Sequence, residues 1–210
     1  MAIAKKKKRF FEVEIPIISK TTHLIALDPK ELEGKYLEYD LTRILRGKNA
    51  LLQAKVKLED ERYVAHPTRL KLLASHLKKI VRKGSDYVED SFSTDCKNAQ
   101  LKIKPLLVTR RRVSRAVLNA LRKKLKEELI GYVKSRNSTT IFDDILKNKL
   151  QKELSLKLKK IYPLSVCEIR VIKVEKELEI PKEEEPKKET KKEKSEEKEI
   201  GKEVEKTQKE

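Results

Sequence analysis

The chain has 210 residues, enough for one large domain or two small ones, and a formal net charge of +18, far beyond what solubility requires. Such a field attracts a polyanion and holds it by displacing counterions, so nucleic acid or an anionic membrane surface is the implied partner. Spanning a membrane is excluded by length: the longest stretches free of Asp, Glu, Lys and Arg, 21–27 and 161–167, are seven residues each, whereas a spanning helix needs about 20 apolar residues.

The chain starts MAIAKKKKRFF, a basic arm over 1–9 that has the charge of a secretory signal but not its apolar segment, so a cytoplasmic protein is expected. Phe10 to Ile18 then alternates apolar and charged residues, with Phe11, Val13 and Ile15 on one face, and predicts a strand. The arrangement makes Phe10 and Phe11 anchors of that strand in the core, with insertion into RNA as the alternative. Tyr36 to Leu45 and Leu51 to Glu59 predict a hairpin turning at Arg46–Asn49. Tyr63 to Leu73 predicts a further strand, with Arg69 and Lys71 opposite Thr68, Leu70 and Leu72. Ser75 to Lys83 fits a short helix or an irregular segment. Tyr87 to Thr94 and Leu101 to Thr109 predict a second hairpin turning at Asp95–Asn98.

Past Arg112 the period changes. Val117, Leu121, Leu125 and Leu129 recur at helical spacing through Lys134, and a second amphipathic helix is expected from Ser138 through Ile161, ended by Pro163. Leu164 to Val174 returns to strand character. From Lys176 on, the sequence is a Lys/Glu-rich low-complexity tail with too few apolar side chains to repay ordering. Its eleven lysines and thirteen glutamates sum to −2, which leaves +20 on residues 1–175. The expectation is one α+β domain over 10–175, a sheet flanked by two long helices, between a basic arm and a disordered tail over 176–210.

Clustered cations are the strongest chemical feature. The candidate RNA-binding set is Lys5, Lys6, Lys7, Lys8 and Arg9 in the arm, Arg43, Arg46 and Lys48 at the first hairpin turn, Arg69 on its strand, Lys78, Lys79, Arg82 and Lys83, and Arg110, Arg111, Arg112 and Arg115 where strand meets helix. Guanidinium forks match phosphate oxygens bidentately, and three successive arginines beside an electropositive helix start are unfavourable unless an anion compensates. A charged helix start that only aids solubility is the alternative. Lys124 and Lys126 share their helix with Glu127 and Glu128 and read as a solvated face.

Enzyme readings find little support, since no phosphate-binding loop, dinucleotide turn, nucleophile elbow or H-E-x-x-H is present. His23, His66 and His76 have no ligand spacing with each other or with Cys96 and Cys167, which read as reduced structural thiols; no metal or cofactor is expected. Asp143 and Asp144 fall in the expected first turn of the second helix, where acids favour the dipole. Asp86, Glu89 and Asp90 near Arg82 would be the ligands of a metal-dependent nuclease, but strand alternation turns Glu89 away from the other two. Few aromatics and no tryptophan argue against stacking many bases on a sheet, and favour backbone and shape recognition of folded RNA.

Five segments in register, KKKKRFFEVEIP, HPTRLKL, VRKGSDYVEDSFSTD, IKPLLVTRRR and KKIYPLSVCEIRVIKV, resemble the archaeal and eukaryotic small-subunit ribosomal protein family called S-three-a-e, or eS-one, over roughly 5–174. The chain departs from the family pattern where Phe10 and Phe11 replace Trp-Tyr, where Cys96–Asn98 replaces an Asp-Gly turn, and in having fewer arginines after Arg82. The resemblance implies a β-barrel-like sheet flanked by helices, seated on the small-subunit platform near the messenger exit and the 3′ end of the small-subunit ribosomal RNA. Its implied partners are that RNA, neighbouring small-subunit proteins and messenger RNA near the exit, with no membrane and no homo-oligomer. A free-standing nucleic-acid architectural protein would share the charge.

Overall fold

In β1 (Arg9–Ile15) the alternation buries Val13 and Ile15 and leaves Glu12 and Glu14 in water. The structure is a computed structural model and describes residues 7–45, 47–59 and 62–178. Lys5, Lys6 and Arg46 of the candidate set, and the expected disordered tail from 179 on, lie outside the described residues.

β1 folds back antiparallel on β2 (Lys20–Ala26). β3 (Tyr36–Asp40), β4 (Ala50–Glu59) and β5 (Arg62–Leu72) follow as an antiparallel run. A short helix, α1 (Ala74–Ile80), occupies the stretch the sequence left open. The second hairpin is β7 (Phe92–Asp95) against β8 (Ala99–Thr109), with a separate β6 (Tyr87–Glu89) pairing farther along β8. Then come α2 (Arg115–Lys134), α3 (Ser138–Leu146), α4 (Lys149–Leu158) and the last strand, β9 (Leu164–Glu177), which runs past the boundary set at 175.

The nine strands among the described residues form one mixed sheet. Its main path is β2-β1-β5-β9-β8-β6, with β4 and then β3 branching from β5, and β7 from β8. β1 and β5 pair in parallel, the others antiparallel. The pairings among the described residues branch and never return on themselves, so the ladder is open where a barrel-like closure was expected. β8 tolerates Pro105, which has no amide to donate, because the register shifts there.

The expected pair of long helices is one long helix and two short ones. α2 buries Leu121, Leu125, Leu129 and Val133, as its spacing requires. The second helical stretch breaks at Asn148, whose φ of 58 is left-handed; the short amide side chain tolerates that conformation, and Lys48 Nζ fixes it by donating to Asn148 Oδ1 at 2.6 Å. The break folds α4 back on α3, so that Phe142, Ile145, Leu150, Leu154 and Leu158 all enter one core with Leu52, Leu101, Ile103 and Ile172 of the sheet. α3 is capped from a distance: Asn98, in the β7–β8 turn, accepts from the Ser138 amide at 2.8 Å.

Both cysteines are free. Cys96 is buried and donates to the Ala99 carbonyl. Burial, and then the charge of Glu168, push the Cys167 thiol up to about 12, against the opposing pull of Lys48. A thiol that is harder to ionise in the fold than in the unfolded chain stabilises below its ordinary value of 9.0, and that contribution disappears as pH rises toward 12. Native protein at pH 8 is therefore expected to alkylate slowly at Cys167 and at once in denaturant, as followed by mass spectrometry; equal rates in both states would show the site to be open.

Candidate nucleic-acid interface

The arginine turn, Arg110–Arg112, leaves the end of β8 with all three side chains exposed. Its backbone is clamped. Thr109 N–H donates to the Asp86 carbonyl at 2.9 Å, the Asp86 amide donates back to Thr109 Oγ1 at 3.0 Å, and Asp86 Oδ2 accepts from the Val113 amide at 2.8 Å. The carboxylate of Asp86 thus occupies the Val113 amide, and α2 begins beyond the turn at Arg115. The first turn of α2 itself holds no acid, and the carboxylate nearest its start is that of Asp86 on the Val113 amide.

The same clamp joins two basic clusters. Asp86 follows a tight turn in which Ser85 bonds back to the Arg82 carbonyl and Gly84 takes φ 86, a conformation that favours glycine. Arg82 and Lys83, with Lys78 and Lys79 on α1, are all exposed, and Asp86, three residues past Lys83, bonds their segment to the arginine turn. At the other end of α1, Leu73 N–H donates to the Asn49 carbonyl, and Asn49 Nδ2 donates to Ser75 Oγ. These bonds bring in the β3–β4 loop with exposed Arg43. In that loop the Thr42 hydroxyl and amide, then Arg43, hold the Asp40 carboxyl below its usual range. Arg43, Lys78, Lys79, Arg82, Lys83, Arg110, Arg111, Arg112 and Arg115 accordingly lie along one chain of bonded segments.

Other candidates lie elsewhere. Lys7, Lys8 and Arg9 are exposed at the start of β1, the far side of the sheet path. Lys48 turns inward: its ammonium sits 2.9 Å from Glu168 Oε1 and also holds Asn148, so its charge is already matched inside the protein. Buried His76 faces the other Glu168 oxygen at 3.5 Å. Arg69 is half-buried on the outer face of β5, with Nε buried and without a hydrogen-bond partner among the described residues.

Several expected roles are corrected. Phe10 is 72% exposed and lies across from Ile25, because the parity that turns Val13 and Ile15 inward turns Phe10 out; only Phe11 packs inward, edge-on to Tyr63. Asp143 and Asp144 sit past the first turn of α3; Asp144 accepts from Arg136 at 2.6 Å and from Tyr132 at 2.8 Å, while Asp143 pairs with Lys147. The three acids of the nuclease reading do not converge: Asp86 holds the Val113 amide, Glu89 pairs with Arg170, and Asp90 accepts from Ser91. Asp86 was the functional group that sequence reasoning misjudged. Its signal was position, at the mouth of a hairpin whose other end is the arginine run.

The chain matches the Ribosomal S3Ae family over residues 4–177. It belongs to that family. Among relatives of this S3Ae-family chain are proteins named small ribosomal subunit protein eS1. That of Nanoarchaeum equitans is 25% identical over 167 residues, covering 75% of this chain and 84% of the relative. That of Pyrobaculum arsenaticum is 26% identical over 186 residues, covering 85% and 83%, and that of Pyrobaculum aerophilum 29% identical over 149, covering 70% and 66%. Among the described residues of the S3Ae-family chain no helix is long and apolar enough to cross a membrane.

Proposed function

We propose that the chain is a structural constituent of the small ribosomal subunit that binds the subunit's ribosomal RNA on the platform, near the messenger exit. The family match and the eS1 name of its relatives support the subunit. The observation that carries the RNA reading is the clamped strip from Arg43 to Arg115, where backbone and side-chain bonds of Asn49 and Asp86 tie together three separate segments that carry exposed cations. Cations held by a rigid backbone neutralise phosphates in one geometry and so favour one RNA fold. The role is scaffolding without turnover, performed in the cytoplasm by a single copy alongside neighbouring subunit proteins, with messenger RNA passing nearby. Lys7–Arg9 and the residues before them form a second, arm-like contact, and the acid-rich end of the chain stays off the RNA.

Sedimentation of a native extract through sucrose at moderate and raised salt tests this reading. Comigration with the small subunit that survives raised salt is expected. A protein found only at the top of the gradient, or stripped by modest salt, would instead be a free architectural binder.

A further inference from the structure

The outer face of the sheet carries a second basic site, assembled from strands far apart in sequence. Gln53, Arg69, Lys173 and Lys102 lie directly opposite one another on β4, β5, β9 and β8. Their inward neighbours Leu52, Leu70, Ile172 and Ile103 are buried, so this row faces out. Adjacent strands are about 4.8 Å apart, and cations in register at that spacing repel one another; Glu175 bonds Lys102, which leaves Arg69 beside Lys173 without a carboxylate bonded to either.

β9 pairs with β5 only through Val171–Lys173 and then parts from it to follow β8 as far as Glu177. Where the two strands part, a groove of about 490 Å³ opens, lined by Tyr36, Lys55, Arg69, Lys173, Glu175 and Glu177 among others. Its two acids are already committed: Glu175 accepts from Lys102 at 3.0 Å and Ser93 at 2.9 Å, and Glu177 pairs with Lys57 at 3.1 Å. Lys55 and Arg69, whose buried Nε has no partner among the described residues, are left for a ligand, and Lys173, which acts on Glu175 through its charge alone, keeps its hydrogen bonds free. Tyr36, on the rim, is 60% exposed, an aromatic face offered to solvent beside the cations.

We infer that this groove binds single-stranded RNA, one base stacking on Tyr36 and the adjoining phosphates meeting Arg69, Lys55 and Lys173. A cationic groove with an aromatic platform is the combination that holds single strands without sequence readout, and one platform suffices for one base. The inference rests on the proposal that the chain binds RNA, but it concerns a different face and a different RNA form from the clamped strip.

The chain contains no tryptophan, so Tyr36→Trp places a lone, selectively excitable tryptophan in the groove. Titrating that full-length variant with a fluorescein-free octauridylate is expected to quench its emission saturably. Adding Lys173→Gln, an exposed change that spares the fold, should lower the salt slope of that quench by about 0.7, the contribution of one single-strand phosphate contact. Tyr36→Ala should weaken octauridylate binding in the groove roughly 5- to 150-fold. In parallel, labelled octauridylate and a labelled RNA hairpin are followed by anisotropy. Anisotropy changes without any quench would overturn the groove and leave RNA binding intact. No response from either RNA would overturn both proposals, and quenching by polyglutamate but not by octauridylate would assign the groove to an acidic protein segment.

Discussion

Replacing Arg110, Arg111 and Arg112 together by glutamine is expected to flatten the dependence of log K on log salt for a folded RNA by about 2 to 3, because each phosphate contact contributes roughly 0.7–0.9 to that slope. The three side chains are exposed and the turn's geometry is set by Thr109, Asp86 and the Val113 amide, so the substitutions should leave the fold in place. Fluorescence anisotropy over a salt series, with far-ultraviolet circular dichroism as the control, measures this. An unchanged slope would mean that the arginine turn touches no phosphate, and the clamped strip would lose its central part.

Phe142→Ala carries the other large effect, an expected loss of about 3–5 kcal/mol. Phe142 is fully enclosed, and among the wholly buried side chains it is one of the largest. It sits on α3 just before the helical stretch folds back, within the core that the sheet and α4 share. That loss is a large share of the ~5–15 kcal/mol that holds a domain of this kind together. Urea unfolding of the two proteins would measure it; a loss under about 1 kcal/mol would show that the neighbouring leucines collapse into the space.

How legible all this was in the sequence depended on whether the deciding information was local. The period of Val117, Leu121, Leu125 and Leu129 defines the buried stripe of α2 without reference to anything else, and the structure follows it closely. The alternation in Leu52, Ala54 and Val56 did the same for β4. The break at Asn148 was not legible, because the apolar spacing continues across it and what fixes the corner is Lys48, a hundred residues away. β2 escaped because Thr21, Thr22 and His23 offer little apolar contrast, and its strand state comes from pairing with β1. For the site, the exposed arginine runs were visible as charge. Their grouping was not, since it depends on Asn49 and Asp86 bonding across loops. The row from Arg69 through Lys173 to Lys102 was hidden for the same reason: each residue is one polar position in an ordinary alternating strand, and only cross-strand register makes them neighbours.

The place of β9 between β5 and β8 has a consequence for how the molecule comes into being. The last described strand supplies the seam that joins the two halves of the sheet, so everything made before Leu164 emerges from synthesis with the long edge of β8 and a three-residue stretch of β5, Arg69–Lys71, still unpaired. Such edges are templates for wrong partners. A chain arrested anywhere before that strand should be a substrate for chaperones and proteases, and completion of the strand, more than any earlier helix, marks the moment at which the newly made sheet becomes whole.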